Sequence, residues 1–368
     1  KHKDTAQHEW YVPFLALIGK KEKFAEEKNI VLFDASAQRT YLARTGLTGS
    51  ADHKSGPDHN AIFSAKTGAR TLGNSNQVQL ILEAEQDGIK LVKTYTFSRG
   101  DYNIGIKHDI SNLGSTPIAR SLYLELLRDG RKPEGESMFY STFTGPAVFT
   151  DADKFQKIEF EEIEKGKAEH ATKADNGWTA LVQHYFVSAF VPPEKMQREI
   201  LSRKIDSNYA IDTILPLGTI APSATVTVDS RLYSGPQESM VLEKVAPGLD
   251  RVKDYGILQI VAEPIFWLMT YIQKVVGNWG WTIILLTVII KLAFFPLSAA
   301  SYRSMAKMKQ VTPKMTSIRE RFKGDPQKMN QAMMELYKTE KINPLGGCLP
   351  IVVQIPVFIA LYWVLLSS

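Results

Sequence analysis

From about Asn29 to Tyr233, apolar residues recur at every second position. Ile89, Leu91, Tyr95 and Phe97 alternate with mostly polar neighbours, as do Ile104, Ile106 and Ile110, and Val226, Val228 and Leu232. This period predicts strands with one buried face. Turn signals separate them: Asp87-Gly88, Arg99-Gly100-Asp101, Leu113-Gly114-Ser115, Asp129-Gly130 and Asn176-Gly177. Many short strands between frequent turns indicate an all-β sandwich or barrel occupying residues 1–250, with a helical stretch near Gln237–Val245. No repeat of fixed period interrupts the pattern.

After Tyr255 the pattern changes to long apolar runs. Tyr255–Val276 carries Ile257, Ile260, Val261, Ile265, Leu268, Met269, Ile272 and Val276 on one broad helical face, interrupted by Glu263, Pro264, Gln273 and Lys274. It reads as an amphipathic helix lying in a membrane interface, with Trp267, Trp279 and Trp281 at headgroup level. Gly280–Leu297 is almost wholly apolar and long enough, at about 18 residues, to cross a hydrocarbon core roughly 30 Å thick. This predicts a transmembrane helix over 279–297. Its single charge, Lys291, costs about 2.5–3.5 kcal/mol at a bilayer centre and so needs water or a polar partner, unless it snorkels to the nearer surface. A second span is predicted over 344–366, containing Pro350, Pro356 and the amide of Gln354.

Between these spans, 298–343 reads as a helical hairpin. Met305, Met308, Val311, Met315, Ile318 and Phe322 step by three and four, Gly324-Asp325-Pro326 breaks the helix, and Met329, Met333 and Leu336 resume the stripe. Charge now changes the picture. The chain of 368 residues carries a net +5, but 298–343 alone holds ten basic and four acidic residues, a net +6. The remainder is close to neutral, which argues against nucleic-acid binding by the β domain. By the positive-inside rule the hairpin is cytoplasmic and the β domain lies across the membrane, which requires a signal anchor ahead of Lys1. The basic face suits anionic headgroups or ribosomal RNA. Cys348 is the only thiol, so no intrachain disulfide forms.

Candidate chemistry in the β domain is sparse. Asp52, His53, Asp58 and His59 are metal-ligand types, but Gly56-Pro57 marks their segment as a loop, and a solvated loop is the simpler reading. His184, in the strand-like run VQHYF, reads first as a packed or surface histidine and second as a general base. No Walker-type glycine loop, nucleophile elbow or paired-cysteine zinc pattern is present, so neither a metal nor a cofactor is expected.

The order of parts resembles the YidC-type membrane protein insertases. The resemblance is carried by GNWGWTIILLTVIIKLAFFPL, SYRSMAKMKQVTPKM and MMELYKTEKINPLGGCLPIVVQIPVFIALYW. Upstream, YLARTGLTGS, TYTFSRGDYNIGI and WTALVQHYFVSAFVP are similar to the large periplasmic domain of the Gram-negative bacterial branch. The resemblance implies an α-helical transmembrane core plus a periplasmic β-supersandwich, in a multi-pass protein of the bacterial inner membrane. It further implies an insertase and chaperone without nucleotide hydrolysis. Nascent membrane proteins, the Sec translocon, the ribosome and the lipid bilayer are the implied partners. A hydrated groove is expected around Lys291, where the family commonly has arginine, and Thr287, one turn earlier. Gln354, Cys348, Phe358 and Tyr362 belong to its second wall. Arg303, Lys307, Lys309, Arg319 and Arg321 are the expected cytoplasmic contacts. A different class of function, a membrane-tethered carbohydrate-binding or carbohydrate-processing protein, would instead bring a carboxylate and His184 together in a cleft.

Overall fold

The computed structural model describes residues 31–36, 38–49, 56–131, 143–253, 258–340 and 349–367. The alternating segments form two antiparallel sheets. In spatial order, the six-stranded sheet comprises β1 (Asp34–Ala35), β2 (Thr40–Thr48), β7 (Ile118–Asp129), β14 (Asn208–Ile220), β13 (Arg198–Ile205) and β10 (Lys173–Ala174). The nine-stranded sheet comprises β3 (Ser64–Ala65), β4 (Gln77–Gln86), β5 (Ile89–Ser98), β6 (Asn103–Asn112), β15 (Thr225–Pro236), β12 (Phe186–Val191), β11 (Trp178–Gln183), β8 (Gly145–Thr150) and β9 (Lys154–Lys157). Asp87 and Gly88 form the two-residue turn between β4 and β5, both at positive φ, the geometry that matches strand twist. Leu122, Leu124 and Leu126 of β7 meet Ile89, Leu91, Ile106 and Ile110 of the facing sheet in the main core. A short helix, α1 (Phe160–Glu164), stacks Phe160 on Tyr209 at 4.4 Å. All four outermost strands are only two to four residues long. The Leu47 amide of β2 donates instead to the Pro57 carbonyl.

Strands β8, β11 and β12 are buried on both faces, which explains their continuous rather than alternating apolar character. Their outer face is covered by α2 (Ser239–Val245) and a 3₁₀ turn (Leu249–Val252), which insert Leu242, Val245, Leu249 and Val252. Each such side chain contributes roughly 1.5–3 kcal/mol on full burial. The indole of Trp178 donates to the Pro247 carbonyl at 3.0 Å and stacks on Phe149 with centroids 5.8 Å apart. Gly248 sits against that ring at φ +71°, where a Cβ would lie 2.3 Å from Phe149. Beyond the turn, the Lys253 ammonium packs 4.4 Å over the Phe266 ring, and burial lowers its pKa to about 8. The β domain is thereby tied to the helices that follow.

Two ionisable groups occupy inward positions between the sheets. Lys93 donates to the Thr45 carbonyl at 2.6 Å and lies 4.3 Å over the Phe63 ring; burial lowers it to about 8. His108, fully buried, bonds through Nε2 to the Thr45 hydroxyl at 3.0 Å, and burial followed by the Lys93 charge lowers it to about 3.

The C-terminal region is helical: α3 (Gln259–Val276), α4 (Trp279–Ala293), α5 (Phe295–Arg321), α6 (Pro326–Thr339) and α7 (Leu349–Ser367). The helix expected over 279–297 breaks at Phe294, and its two parts are bent by 56°. Pro296 is the cause: it has no N–H for the Leu292 carbonyl, and its ring crowds that carbonyl. Residues 295–297 therefore begin the basic helix instead of ending the apolar one. Among the described residues no single helix is long and apolar enough to cross a membrane, but α4 and α5 pass that test together. The face that α3 buries is Ala262, Ile265, Met269 and Ile272, packed against Leu286 and Ile290 of α4 and Ala360, Leu361 and Val364 of α7. Ile260, on the apolar face read from the sequence, is 86% exposed. Residues 255–257 and 344–348 of the expected segments lie outside the described residues.

Gly248→Ala is expected to lower the unfolding midpoint well beyond Gly218→Ala. Both positions have positive φ, near the roughly 1 kcal/mol cost of a Cβ there, but no atom lies within 4 Å of the Gly218 position. Denaturant unfolding followed by Trp178 fluorescence measures the difference. His108 gives a pH dependence. The unfolded chain binds its imidazole proton below about pH 6.5 and the folded chain does not until about pH 3, so stability falls as pH drops through that window, by up to about 1.4 kcal/mol per unit. His108→Gln, which keeps a donor for Thr45, should flatten the slope between pH 6.5 and pH 4.

Candidate functional site

Helical spacing groups the expected groove residues into two stripes. On α4, Thr287 and Lys291 are four residues apart, and on α7 so are Gln354, Phe358 and Tyr362. Because α3 packs against both helices, the stripes come together: the Lys291 ammonium lies 5.0 Å from the centroid of the Phe358 ring. Such a contact contributes about 0.5–2 kcal/mol, rising with desolvation. Thr287 turns its hydroxyl back to the Ile283 carbonyl at 2.8 Å. The Gln354 Nε2 is enclosed without a hydrogen-bond acceptor among the described residues. Phe358 and Tyr362 are 40% and 48% exposed. Cys348 lies outside the described residues. Elsewhere on the two helices, Ile284, Leu285, Val288, Ile289 and Leu292 of α4 and Val352, Ile355 and Ile359 of α7 are all exposed. A contiguous apolar surface of this kind marks contact with other protein or with lipid.

In the hairpin, Arg303, Lys307, Lys309, Arg319 and Arg321 are all exposed on α5. Met308, Met315, Ile318 and Phe322 are half-buried and Val311 is buried, so most of the methionine stripe is a packing seam; Met305 and Met334 stand outside it. Asp325 caps α6 by accepting from the Lys328 amide at 3.1 Å, and Lys314 pairs with Glu340 at 2.6 Å across the hairpin.

The β domain corrects the reading of His184. It is not in a strand: His184 and Tyr185 form the turn between β11 and β12, with Tyr185 at φ 67°. Asp58 is absorbed into its loop, accepting from the amides of Asn60 at 2.7 Å and Ala61 at 3.1 Å. Asp52 and His53 lie outside the described residues, and no metal-holding cluster occurs among those described. His59 does line a pocket of about 280 Å³ on the outer face of the six-stranded sheet. Its Nδ1 bonds to the Tyr123 hydroxyl at 2.5 Å, and burial together with Arg44 lowers its pKa. Glu125 and Asp212 face each other across β7 and β14. Arg203 bonds to Glu125 Oε2 at 2.9 Å and to Asp212 Oδ2 at 2.6 Å, while Arg44 lies 3.3 Å from Glu125 Oε1. Burial raises the Asp212 pKa to about 6 against the pull of Arg203. These four residues escape sequence reasoning because they come from four strands, and only pairing register unites them.

Two family models cover the chain: the YidC periplasmic domain matches residues 19–268 and the 60Kd inner membrane protein matches residues 271–368. A membrane protein insertase YidC from Janthinobacterium sp. (strain Marseille) is 63% identical over 355 residues, covering 96% of this chain and 62% of the relative. That of Herminiimonas arsenicoxydans is 63% identical over 367 residues, covering 99% and 63%. The chain thus spans a little under two thirds of the length of these curated relatives. A crystal structure of an active YidC insertase aligns with 90% of this chain and 63% of that chain, at 16% identity and a TM-score of 0.31. With both models matched in succession and identities this high along almost its whole length, the chain belongs to the YidC family, with a YidC periplasmic domain followed by a 60Kd inner membrane protein region.

Proposed function

We propose that this chain is the periplasmic domain and the first part of the membrane core of an inner-membrane insertase and chaperone, acting alone or beside the Sec translocon. The observation that carries the reading is the position of Lys291: one ammonium in an otherwise apolar helix with many exposed apolar side chains, held against Phe358 of α7. In this reading α4 together with the start of α5, and α7 together with the residues before it, cross the bilayer, α3 lies at its interface, the rest of the hairpin is cytoplasmic and the β domain is periplasmic. Lys291, Thr287 and Gln354 keep water in the inner half of the membrane. The short polar tail of a nascent membrane protein enters that wet groove, attracted if it is acidic, while its apolar segment passes into lipid along α7. A buried segment of on the order of 1,000 Å² gains roughly 25 kcal/mol from apolar transfer. That exceeds the roughly 2.5–3.5 kcal/mol cost of a charged residue at the bilayer centre. Transfer on these terms requires no nucleotide. The basic outer face of the hairpin receives the nascent chain or its ribosome.

The test uses cells depleted of their native insertase and supplied with the full-length protein carrying single substitutions. Insertion of a single-span substrate with a short acidic tail should fall roughly tenfold or more, about 1.4 kcal/mol, with Lys291→Ala and with Lys291→Glu. Lys291→Arg should restore it. Equal insertion by all three at matched expression would reduce Lys291 to a snorkelling residue. Phe358→Leu keeps the apolar wall and removes the ring face, so its effect should stay within the few-fold loss expected of one cation–π contact, and Phe358→Trp should recover it.

A further inference from the structure

The basic residues of α5 are not spread evenly around the helix. Arg303, Lys307, Lys314 and Arg321 follow one another at intervals of four and seven residues and are all exposed, so they form a row along one side. At about 1.5 Å per residue the row is roughly 27 Å long. The single carboxylate of α5, Glu320, stands roughly 100° round the helix from Arg321. Lys314 pairs with Glu340 of α6 yet keeps 61% of its side chain exposed, and Arg303, Lys307 and Arg321 make no ion pair among the described residues. At the end of α5 next to α4, Phe295 and Tyr302, seven residues apart, are 66% and 71% exposed. Aromatic rings in such a place suit the headgroup level of a bilayer. The bend of 56° from α4 also matters: with α4 upright, α5 lies nearer the plane of the bilayer than its normal.

We propose that this row binds the phosphates of anionic lipids in the leaflet where α4 ends. The inference rests on the membrane reading of α4 given above. Attraction to an anionic surface falls off within a Debye length, so several cations contribute only if they stay close to it together. A row along one side of an inclined helix meets that condition, and the same charges scattered round the helix would not. Ribosomal RNA also offers phosphates, but it must be recruited from solution, whereas the headgroups are held beside α5 by the chain itself. Phe295 and Tyr302 favour lipid for the same reason, since they put apolar surface where the basic row begins. Lys309 and Arg319, on other sides of α5, remain for the nascent chain or its ribosome.

The test uses the full-length protein in nanodiscs, with Cys348→Ser and a bimane fluorophore at Gln310→Cys, seven residues after Arg303 and so within the row. Phosphatidylcholine carrying a headgroup nitroxide is the fixed quencher, and phosphatidylglycerol replaces none or about a third of the remaining phosphatidylcholine. Quenching should rise roughly twofold or more with phosphatidylglycerol, and the rise should vanish near 1 M salt, where the screening length is about 3 Å. Replacing Arg303, Lys307 and Arg321 together by Gln should abolish the response. Replacing Lys309, Arg319 and Lys323 by Gln removes the same charge from other sides and should leave it in place. A second label, at Val288→Cys and read with an acyl-chain nitroxide, reports whether α4 is in the bilayer. No response to phosphatidylglycerol, or its equal loss in both triple variants, overturns the proposal, and quenching at Val288→Cys then leaves the membrane reading standing. No quenching at Val288→Cys overturns both. A label that responds to added ribosomes but not to phosphatidylglycerol assigns the row to RNA and likewise overturns the proposal.

Discussion

The segment Pro247-Gly248 lies on a platform made by Trp178 and Phe149, and the relation between the two halves of the molecule depends on that contact. The indole holds the Pro247 carbonyl, and the missing side chain of Gly248 lets the backbone reach the Phe149 ring. Only with this seat occupied do Leu249 and Val252 enter the second core and complete the burial of β8, β11 and β12. Lys253 then meets Phe266 of α3. The sheet domain and α3 thus touch through Lys253 and Phe266.

The two candidate sites treat charge in opposite ways. In the β domain, the desolvated carboxylates of Glu125 and Asp212 are paired with Arg44 and Arg203. On α4, Lys291 has an aromatic face instead of a carboxylate among the described residues. Its charge remains free to act on whatever approaches.

Much of this was legible in the chain. Period two located the strands, the spacing of Thr287 and Lys291 put both on one face, and Gly324-Asp325-Pro326 marked the hairpin turn. Even Lys93 and His108 stood in phase with the inward positions of β5 and β6, yet their polarity hides what their register states. The break at Phe294 was masked by the opposite effect, because continuous apolar character outweighed Pro296. The pocket was illegible for a different reason. Arg44, Glu125, Arg203 and Asp212 are brought together by strand order, and β2-β7-β14-β13 is not an order that local pattern can supply.

The brevity of the outermost strands has a consequence for the borders of both sheets. Three of them pair with only two residues of the strand beside them, so most of the edge of β2, β4 and β13 is bordered by other segments, as the Pro57 carbonyl borders Leu47 of β2. Short outermost strands are one means by which a sheet limits the length available for pairing with another chain.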